Sequence, residues 1–378
     1  MPVRREHGGG GAPQLLTSAP RAIAADEDDV HLRYSRFISR DLIDLIRADE
    51  WWEYKLVPIL SAFYATALVL RVPVASMGIG ALMLLLAVVT AAVYASAVNE
   101  LTDRAADAAA GKRNRAANRP RSVAALLAVA ISAGLAFAWL WRNNTPLLLC
   151  YAATWLAFAV YSVPPFRLKT HGLAGVLCDA AGEQMFPALA AVFLAARTAH
   201  RAPSGAWVAS VAVWALAFGL RGILWHQSRD VENDRAAGVR TFVSRRPHAA
   251  LVIGTLVVFP LELGALAAML WQIGSAWPAA FLVLYALYAV HSARRRQMVP
   301  VIVAPKPQSF IVLQDFYTDL FPVALLLAAA VRDHRALAVL AVHLLLFPRR
   351  VIQAIRRLSA SIANNVVNAS EPHHGGFG

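Results

Sequence analysis

Long apolar stretches recur along the chain and are separated by short polar segments. About 20 apolar residues are enough to cross a bilayer as a helix. The pattern predicts nine such helices, over residues 53–72, 75–99, 122–141, 145–163, 173–196, 206–227, 249–272, 276–293 and 310–331. A tenth stretch, 337–347, is short, and the pattern leaves open whether it spans. We therefore predict an all-α fold, a polytopic bundle of nine or ten transmembrane helices around a central cavity.

The polar segments outside the bundle predict three further parts. Residues 1–30 are rich in glycine and aspartate and offer little to bury, which is typical of a flexible tail. Residues 31–50 alternate apolar and charged positions at helical spacing, which indicates an amphipathic helix at the membrane interface. The transmembrane domain is predicted over 51–357, and a second flexible tail over 358–378.

Composition and charge agree with a membrane location. The chain is 58% hydrophobic and only 16% charged, which is too apolar for an ordinary soluble domain. Its net charge of +13 could indicate nucleic acid, but the basic residues occur in bursts between apolar runs, so no nucleic-acid partner is predicted. These bursts follow the second, fourth, sixth and eighth spans. By the positive-inside rule those loops and the N-terminus face the cytoplasm, in the cell or inner membrane, and the cavity opens on that side.

Carboxylates stand at the cytoplasmic ends of two predicted spans. Asn99, Asp103 and Asp107 are each four residues apart and therefore share one helix face. Asp230 and Asp234 repeat this spacing after the sixth span. Such pairs can hold Mg2+ through one or two oxygens while substrate phosphates supply further ligands. We predict that the four aspartates bind metal; repetition of the motif disfavours the alternative of solvated helix caps.

Basic residues follow both motifs and predict a phosphate ligand. Arginine and lysine bind phosphate oxygens, although the same residues also serve membrane topology. The candidates after the two motifs are Lys112, Arg115, Arg119, Arg235 and Arg240. The combination predicts a diphosphate that is reached from the cytoplasm and carries a lipid-soluble body.

In this order and spacing, the motifs resemble those of the UbiA superfamily of intramembrane prenyltransferases. Asn99-x3-Asp103-x3-Asp107, followed by Arg119-Pro120, resembles its first Asp-rich motif, and Asp230-x3-Asp234-x3-Gly238-x-Arg240-Thr241 resembles its second. The segment with Tyr161, Arg167 and Lys169 is similar to the cytoplasmic loop after the fourth helix of that family. The resemblance covers roughly residues 48–331. Two departures are Glu100, where the family commonly has aspartate, and a missing glycine in 243–247.

The resemblance implies Mg2+-dependent transfer of an isoprenyl group from a prenyl diphosphate to an aromatic or other lipid-soluble acceptor within the membrane lipids. It adds Asn99, Tyr161, Arg167 and Lys169 to the substrate-binding set. It also implies that two Mg2+ ions are held at the diphosphate, with the four aspartates catalytic and the ligands Asn99, Asp103 and Asp107 on one side and Asp230 and Asp234 on the other. Glu100 should still permit metal contact through its longer arm.

Other polar residues inside the spans add candidates for the site. Asp179 and Glu183 share a face of the fifth span and are candidates for binding the acceptor or accepting its proton. His226 lies one turn before Asp230 and is a candidate for reaching the diphosphate. Glu262 is predicted to pair with a neighbouring helix.

Three other functions remain open at this point. A phosphoribosyl donor with a polyprenyl phosphate acceptor would use the same metal site, and a terpene cyclase would need no acceptor. A transporter could use the carboxylates as ion sites. Transport is disfavoured because the carboxylates cluster at one membrane face and not near the midplane.

Overall fold

Helices make up nearly all of the described chain. The computed structural model describes residues 40–109, 111, 113–236, 239–295 and 297–348. The predicted tails 1–30 and 358–378, and residues 31–39 of the predicted interfacial helix, lie outside these residues. The chain divides into two units, 1–43 and 44–378. Only residues 40–43 of the first are described, at the start of helix α1 (Arg40–Leu45).

The apolar pattern becomes helical as predicted. In chain order the remaining helices are α2 (Ala48–Val69), α3 (Gly78–Ala109), α4 (Arg115–Asn118), α5 (Pro120–Leu140), α6 (Thr145–Ser162), α7 (Leu173–Ala180), α8 (Phe186–Ala199), α9 (Gly205–Arg229), α10 (Val231–Ala236), α11 (Phe242–Arg245), α12 (Pro247–Ile253), α13 (Phe259–Ile273), α14 (Ala276–Arg295), α15 (Phe321–Arg332) and α16 (Ala336–Leu346). Single π-helical segments at Ala181–Met185 and Gly254–Val258 join α7 to α8 and α12 to α13, and a third, Phe316–Leu320, precedes α15.

Seven stretches of the described chain are long and apolar enough to cross a membrane. They are Val74–Ala109, Pro120–Leu140, Thr145–Ser162, Leu173–Ala199, Gly205–Arg229, Pro247–Ile273 and Ala276–Arg295. These correspond to the second through eighth predicted spans.

The first and ninth predicted spans are not among these seven. Helix α2 has 22 residues, but its first two turns carry four charged side chains, which shorten its apolar part. The ninth is divided between a π-helical segment and the 12-residue α15. Helix α16, in the undecided tenth stretch, has only 11 residues.

Burial explains why α2 differs from the other long helices. All residues from 56 to 68 are buried, because α2 packs against α8 and α15. By contrast, α5 buries only Val123, Ala130 and Gly134. Other helices enclose this part of α2. Helix α5, in contrast, presents most of its apolar side chains outward.

One short pair of strands departs from the all-α prediction. Val299–Val301 pairs in parallel with Ser309–Ile311 in the segment between α14 and the third π-helical segment. This segment alternates valines with prolines, and β-branched residues favour extended backbone while proline disfavours a helix. The bundle itself is helical.

A close helix contact sets the position of α9, which leads into the second aspartate motif. A Cβ atom at Gly219 would lie 2.8 Å from the carbonyl oxygen of Ala180, so only glycine lets α9 approach α7 this closely. The contact places α9 beside the helix that carries Asp179.

Candidate active site

The first aspartate motif occupies the last turns of α3 and meets the loop that follows α6. The Asn99 side-chain oxygen accepts hydrogen bonds from Lys169 Nζ at 3.0 Å and from Ser162 Oγ at 3.3 Å. Asp103 Oδ1 accepts from Arg167 Nη2 at 2.8 Å and also pairs with Lys169. Thus the structure brings Asn99 and Asp103 of the first motif together with the two loop cations that the resemblance assigned to substrate binding.

Local backbone geometry holds these two cations over α3. Arg167 adopts the left-handed conformation, with φ 36°, at the start of the Leu168–Thr170 turn. A Cβ at Gly175 would lie 2.3 Å from the Leu168 carbonyl oxygen, so glycine lets the turn pack onto α7. Burial lowers the pKa of Lys169 below its usual value, while the neighbouring Asp103 carboxylate opposes this shift. The buried Arg167 Nε has no hydrogen-bond partner among the described residues.

Asp107 is oriented by a residue that the sequence reading missed. Asn114, which is buried, donates through Nδ2 to Asp107 Oδ2 at 2.8 Å and to the Glu100 carbonyl oxygen at 2.9 Å. Its Oδ1 accepts from the Ala117 backbone N–H at 3.1 Å and so caps α4. The helix-capping role of an asparagine is readable from sequence, but its contact with Asp107 is not.

Glu100 and Arg115 contact each other in the structure. Glu100 is only 4% exposed and accepts from the Arg115 backbone N–H at 2.6 Å. The Arg115 guanidinium pairs with Asp44, Glu50 and Glu100. Arg115 therefore has three carboxylate partners in the structure, and Glu100 contacts the segment that carries Arg115. Phosphate binding by Arg115 and metal contact by Glu100 stay predictions.

The second motif begins where α9 ends. Asp230 Oδ2 lies 3.4 Å from His226 Nε2, and its Oδ1 lies 3.3 Å from Arg229 Nε. Asp234 is 7% exposed, and its backbone N–H donates to the Asp230 carbonyl oxygen at 2.8 Å. His226 is thus a partner of Asp230, within the predicted group.

The structure describes three of the four remaining basic candidates. The side chains of Arg119, Arg235 and Arg240 are exposed. Lys112 and Gly238 lie outside the described residues, so their predicted contributions stay predictions.

Tyr161 interacts with carboxylates of both motifs. Its phenol interacts electrostatically with Asp103 of the first motif, Asp234 of the second, and Asp179. Asp179 in turn interacts with Tyr161 and with Lys55. One tyrosine is therefore within electrostatic range of acids from both motifs and from the fifth span.

Lys55 is a second residue that the sequence reading missed. It forms an ion pair with Glu183, which lies in the π-helical segment after α7, and interacts electrostatically with Asp179. The only sequence signal was a lysine at the edge of an apolar span, where a charge is costly unless it is paired. The predicted acceptor-binding acids therefore share a cation from α2.

The side chains present fit Mg2+ by donor type. Asn99 supplies an amide oxygen and the aspartates supply carboxylates, and Mg2+ prefers oxygen ligands of this kind. Asp103 pairs with Arg167 and Lys169, so a metal at this carboxylate would compete with these two cations for its oxygens. Within the described ranges, no three His, Cys, Asp or Glu residues lie close enough to hold a metal by themselves. Each motif can therefore offer one or two carboxylates, with phosphate oxygens and water completing the coordination.

Replacing Asn114 by alanine is expected to weaken metal binding about 10- to 100-fold, because residues that orient a metal ligand typically contribute this much. Mn2+, used in place of Mg2+, would be titrated onto purified protein and followed by electron paramagnetic resonance, without any turnover. Asn143→Ala, at an exposed turn before α6, is the matched control and should bind Mn2+ like the wild type. Equal affinity in Asn114→Ala would show that Asn114 does not orient a ligand.

Comparison with known proteins gives a family match over most of the bundle. The model of the UbiA prenyltransferase family matches residues 56–303. No curated protein matches the chain. A solved UbiA homolog from Archaeoglobus fulgidus is 17% identical, with 80% of this chain and 99% of that chain covered and a TM-score of 0.51. At this identity the likeness concerns the fold alone. A structure of a UbiA homolog from the same organism, bound to GPP and Mg2+, is 16% identical over 80% of this chain and 99% of that one, with a TM-score of 0.49.

Proposed function

Because the chain belongs to the UbiA prenyltransferase family, we propose that it transfers an isoprenyl group from a prenyl diphosphate to a lipid-soluble acceptor and releases diphosphate. Its seven apolar helices and its family make it an integral membrane protein. The distribution of arginine and lysine among the loops supports an orientation in which the N-terminus and both aspartate motifs face the cytoplasm.

One observation carries this proposal: Arg167 and Lys169 converge with Asn99 and Asp103 at the end of α3. Two cationic donors beside oxygen ligands suit a diphosphate accompanied by a divalent metal. In the proposed reaction, Arg167 and Lys169 donate hydrogen bonds to the diphosphate oxygens. Their charges offset the negative charge that grows on the leaving group as the carbon–oxygen bond breaks.

The metal is assigned to the five predicted ligands Asn99, Asp103, Asp107, Asp230 and Asp234. Bound there, Mg2+ would neutralise the diphosphate and make it a better leaving group. Asn114 keeps Asp107 oriented toward this role, and Lys169 holds Asn99. Tyr161, which interacts with carboxylates of both motifs, offers a π face to the allylic cation that remains when diphosphate leaves.

The acceptor side is assigned to Asp179, Glu183 and Lys55. Asp179 lies beside Tyr161 and is therefore near the reacting carbon in this proposal. A carboxylate in that position can accept the proton that the acceptor loses after attack on the allylic cation. The Lys55–Glu183 pair links α2 to the π-helical segment and holds that side of the acceptor pocket.

A diphosphate-release assay tests the proposal. Purified protein in detergent with Mg2+ would receive geranyl, farnesyl or geranylgeranyl diphosphate, with and without a membrane-lipid extract, and phosphoribosyl diphosphate separately. Release that needs both a prenyl donor and the extract is the expected result. Release without any acceptor would indicate a cyclase, and release only from the sugar donor would indicate phosphoribosyl transfer. Release from no donor would contradict an enzyme of this class and revive a transport role.

Lys169→Ala is expected to raise the KM for the prenyl diphosphate about 10- to 100-fold, because a hydrogen bond to a charged group contributes roughly 1.5–3 kcal/mol. Lys169→Arg should recover part of the loss, since it keeps the charge. Lys306→Ala changes an exposed lysine between the strands Val299–Val301 and Ser309–Ile311 and is the matched control. An unchanged KM in Lys169→Ala would remove this residue from the donor site.

A further inference from the structure

A cavity lies at the end of the bundle opposite the aspartate motifs. Its volume is about 290 Å3, and it is lined between the end of α2 and the end of α15. Helix α3 begins beside it at Gly78 and runs for 32 residues, about 48 Å, before it ends just after the first motif. The length of a membrane-spanning helix therefore separates the cavity from the proposed active site.

The lining of the cavity is divided into an apolar part and a charged part. Leu68, Val74 and Ala329 form apolar walls and are each at most 5% exposed. Arg71 and Arg332 also line the cavity, and both of their side chains are exposed. The apolar walls and the two guanidinium groups match a ligand that is itself part hydrocarbon and part anion.

The backbone around Arg71 is held in place by contacts from two sides. Arg71 has φ 57°, a left-handed conformation that is uncommon for a residue with a Cβ atom. The preceding Leu70 carbonyl accepts from Arg201 Nη1 at 2.6 Å, and the following Val72 N–H donates to the Ala67 carbonyl at 3.0 Å. A left-handed non-glycine residue that is fixed in this way is a feature often found at binding sites.

One acidic side chain faces the same cavity. Asp333 lines it next to Arg332, and its Oδ1 accepts from the Arg335 backbone N–H at 3.1 Å, at the start of α16. The two arginines thus exceed the single carboxylate, and the cavity remains net positive. Arg201, which binds the Leu70 carbonyl, adds positive charge nearby.

We propose that this cavity binds the phosphate of a phospholipid headgroup. Guanidinium groups bind phosphate with two hydrogen bonds each, and a pair of them can hold one phosphate between them. Val74, which lines the cavity, is the first residue of the spanning stretch Val74–Ala109, and the end of a spanning stretch is the level at which lipid phosphates are found. The apolar walls would then contact the glycerol and the first carbons of the acyl chains. The proposal depends on the chain's insertion in a membrane but not on its proposed reaction.

Binding is tested with three probes on delipidated protein in detergent, by isothermal titration calorimetry. The probes are a short-chain phosphatidylglycerol, the diacylglycerol with the same acyl chains and inorganic phosphate. We expect phosphatidylglycerol to bind at least about tenfold more tightly than either of the other two probes, because both parts of the cavity contribute to binding. Diacylglycerol that binds as tightly would show that phosphate is not recognised. Inorganic phosphate that binds as tightly would show a soluble anion site. Either result overturns the proposal, as does absence of phosphatidylglycerol binding.

The variant Arg71→Asn with Arg332→Gln should lose at least about tenfold in phosphatidylglycerol affinity. Asparagine is chosen at position 71 because it tolerates the left-handed conformation. Arg142→Gln is the matched control, since Arg142 is exposed, stacks over Trp139 at 4.0 Å and does not line the cavity. Arg332→Gln alone is also measured, so that a folding defect at position 71 does not decide the result. Unchanged affinity in both Arg332→Gln and the double variant overturns the proposal.

Discussion

Alanine at Asp103 is expected to lower diphosphate release at least about 100-fold. Residues that merely orient a metal ligand cost up to about 100-fold when they are replaced, so removal of a ligand should cost at least that much. Asp103 is also the acceptor that holds Arg167 and Lys169, and its loss leaves two cations without their carboxylate. Release rates at saturating donor and Mg2+ would be compared for wild type, Asp103→Ala and Asp234→Ala.

Glu232→Gln is the control for these variants. Glu232 lies in α10 between the two aspartates of the second motif, but its side chain is exposed and is not assigned to the site. It should release diphosphate at the rate of the wild type. If either aspartate variant loses less than about tenfold in activity, the loss is smaller than the smallest loss expected for a ligand. That residue would then not be a metal ligand.

Breaking the buried ion pair between Arg221 and Glu262 is expected to destabilise the fold by about 3–5 kcal/mol. Arg221 in α9 and Glu262 in α13 are 1% and 0% exposed and form two hydrogen bonds, each of 2.8 Å. Arg221 Nη1 also donates to the Val312 carbonyl at 2.7 Å. Glu262→Ala leaves a buried guanidinium without its carboxylate. Thermal unfolding in detergent should shift down by roughly 5–10 °C.

A double variant separates an unpaired charge from a general loss of packing. Arg221→Leu with Glu262→Met removes both charges and keeps apolar volume, so it should be more stable than either single change. If Glu262→Ala melts like the wild type, the pair does not stabilise the bundle. If the double variant has a lower melting temperature than both single variants, lost packing explains the destabilisation and the unpaired charge does not.

The apolar pattern was sufficient for the central part of the fold and insufficient at its edges. Seven predicted spans correspond to long apolar helices, because such helices expose apolar side chains along their length. Helix α2 breaks the rule, since its apolar part is enclosed by α8 and α15 and its first turns carry charges that face partners such as Glu183. The pairing of Glu262 with a neighbouring helix was predicted from its position inside a span and is confirmed by Arg221.

Spacing in the sequence located the residues of the candidate site but not all of their contacts. Residues four apart on α3 were expected on one face. The loop after α6 contacts two of them, Asn99 and Asp103. The contacts of Asn114 with Asp107 and of Lys55 with Glu183 depend on how loops and helices fold back, which spacing does not encode. For the same reason, the three carboxylate partners of Arg115 could not be predicted from the sequence.

The most direct test of a single diphosphate site built from both motifs is a binding titration with a non-reacting donor. Farnesyl thiodiphosphate would be titrated into wild type, Asp103→Asn and Asp234→Asn, with Mg2+ and with EDTA, by calorimetry. We expect binding by wild type that requires Mg2+ and is weakened at least about 100-fold in both variants. Binding that is unchanged by EDTA, or lost in only one of the two variants, would contradict a shared metal and diphosphate site.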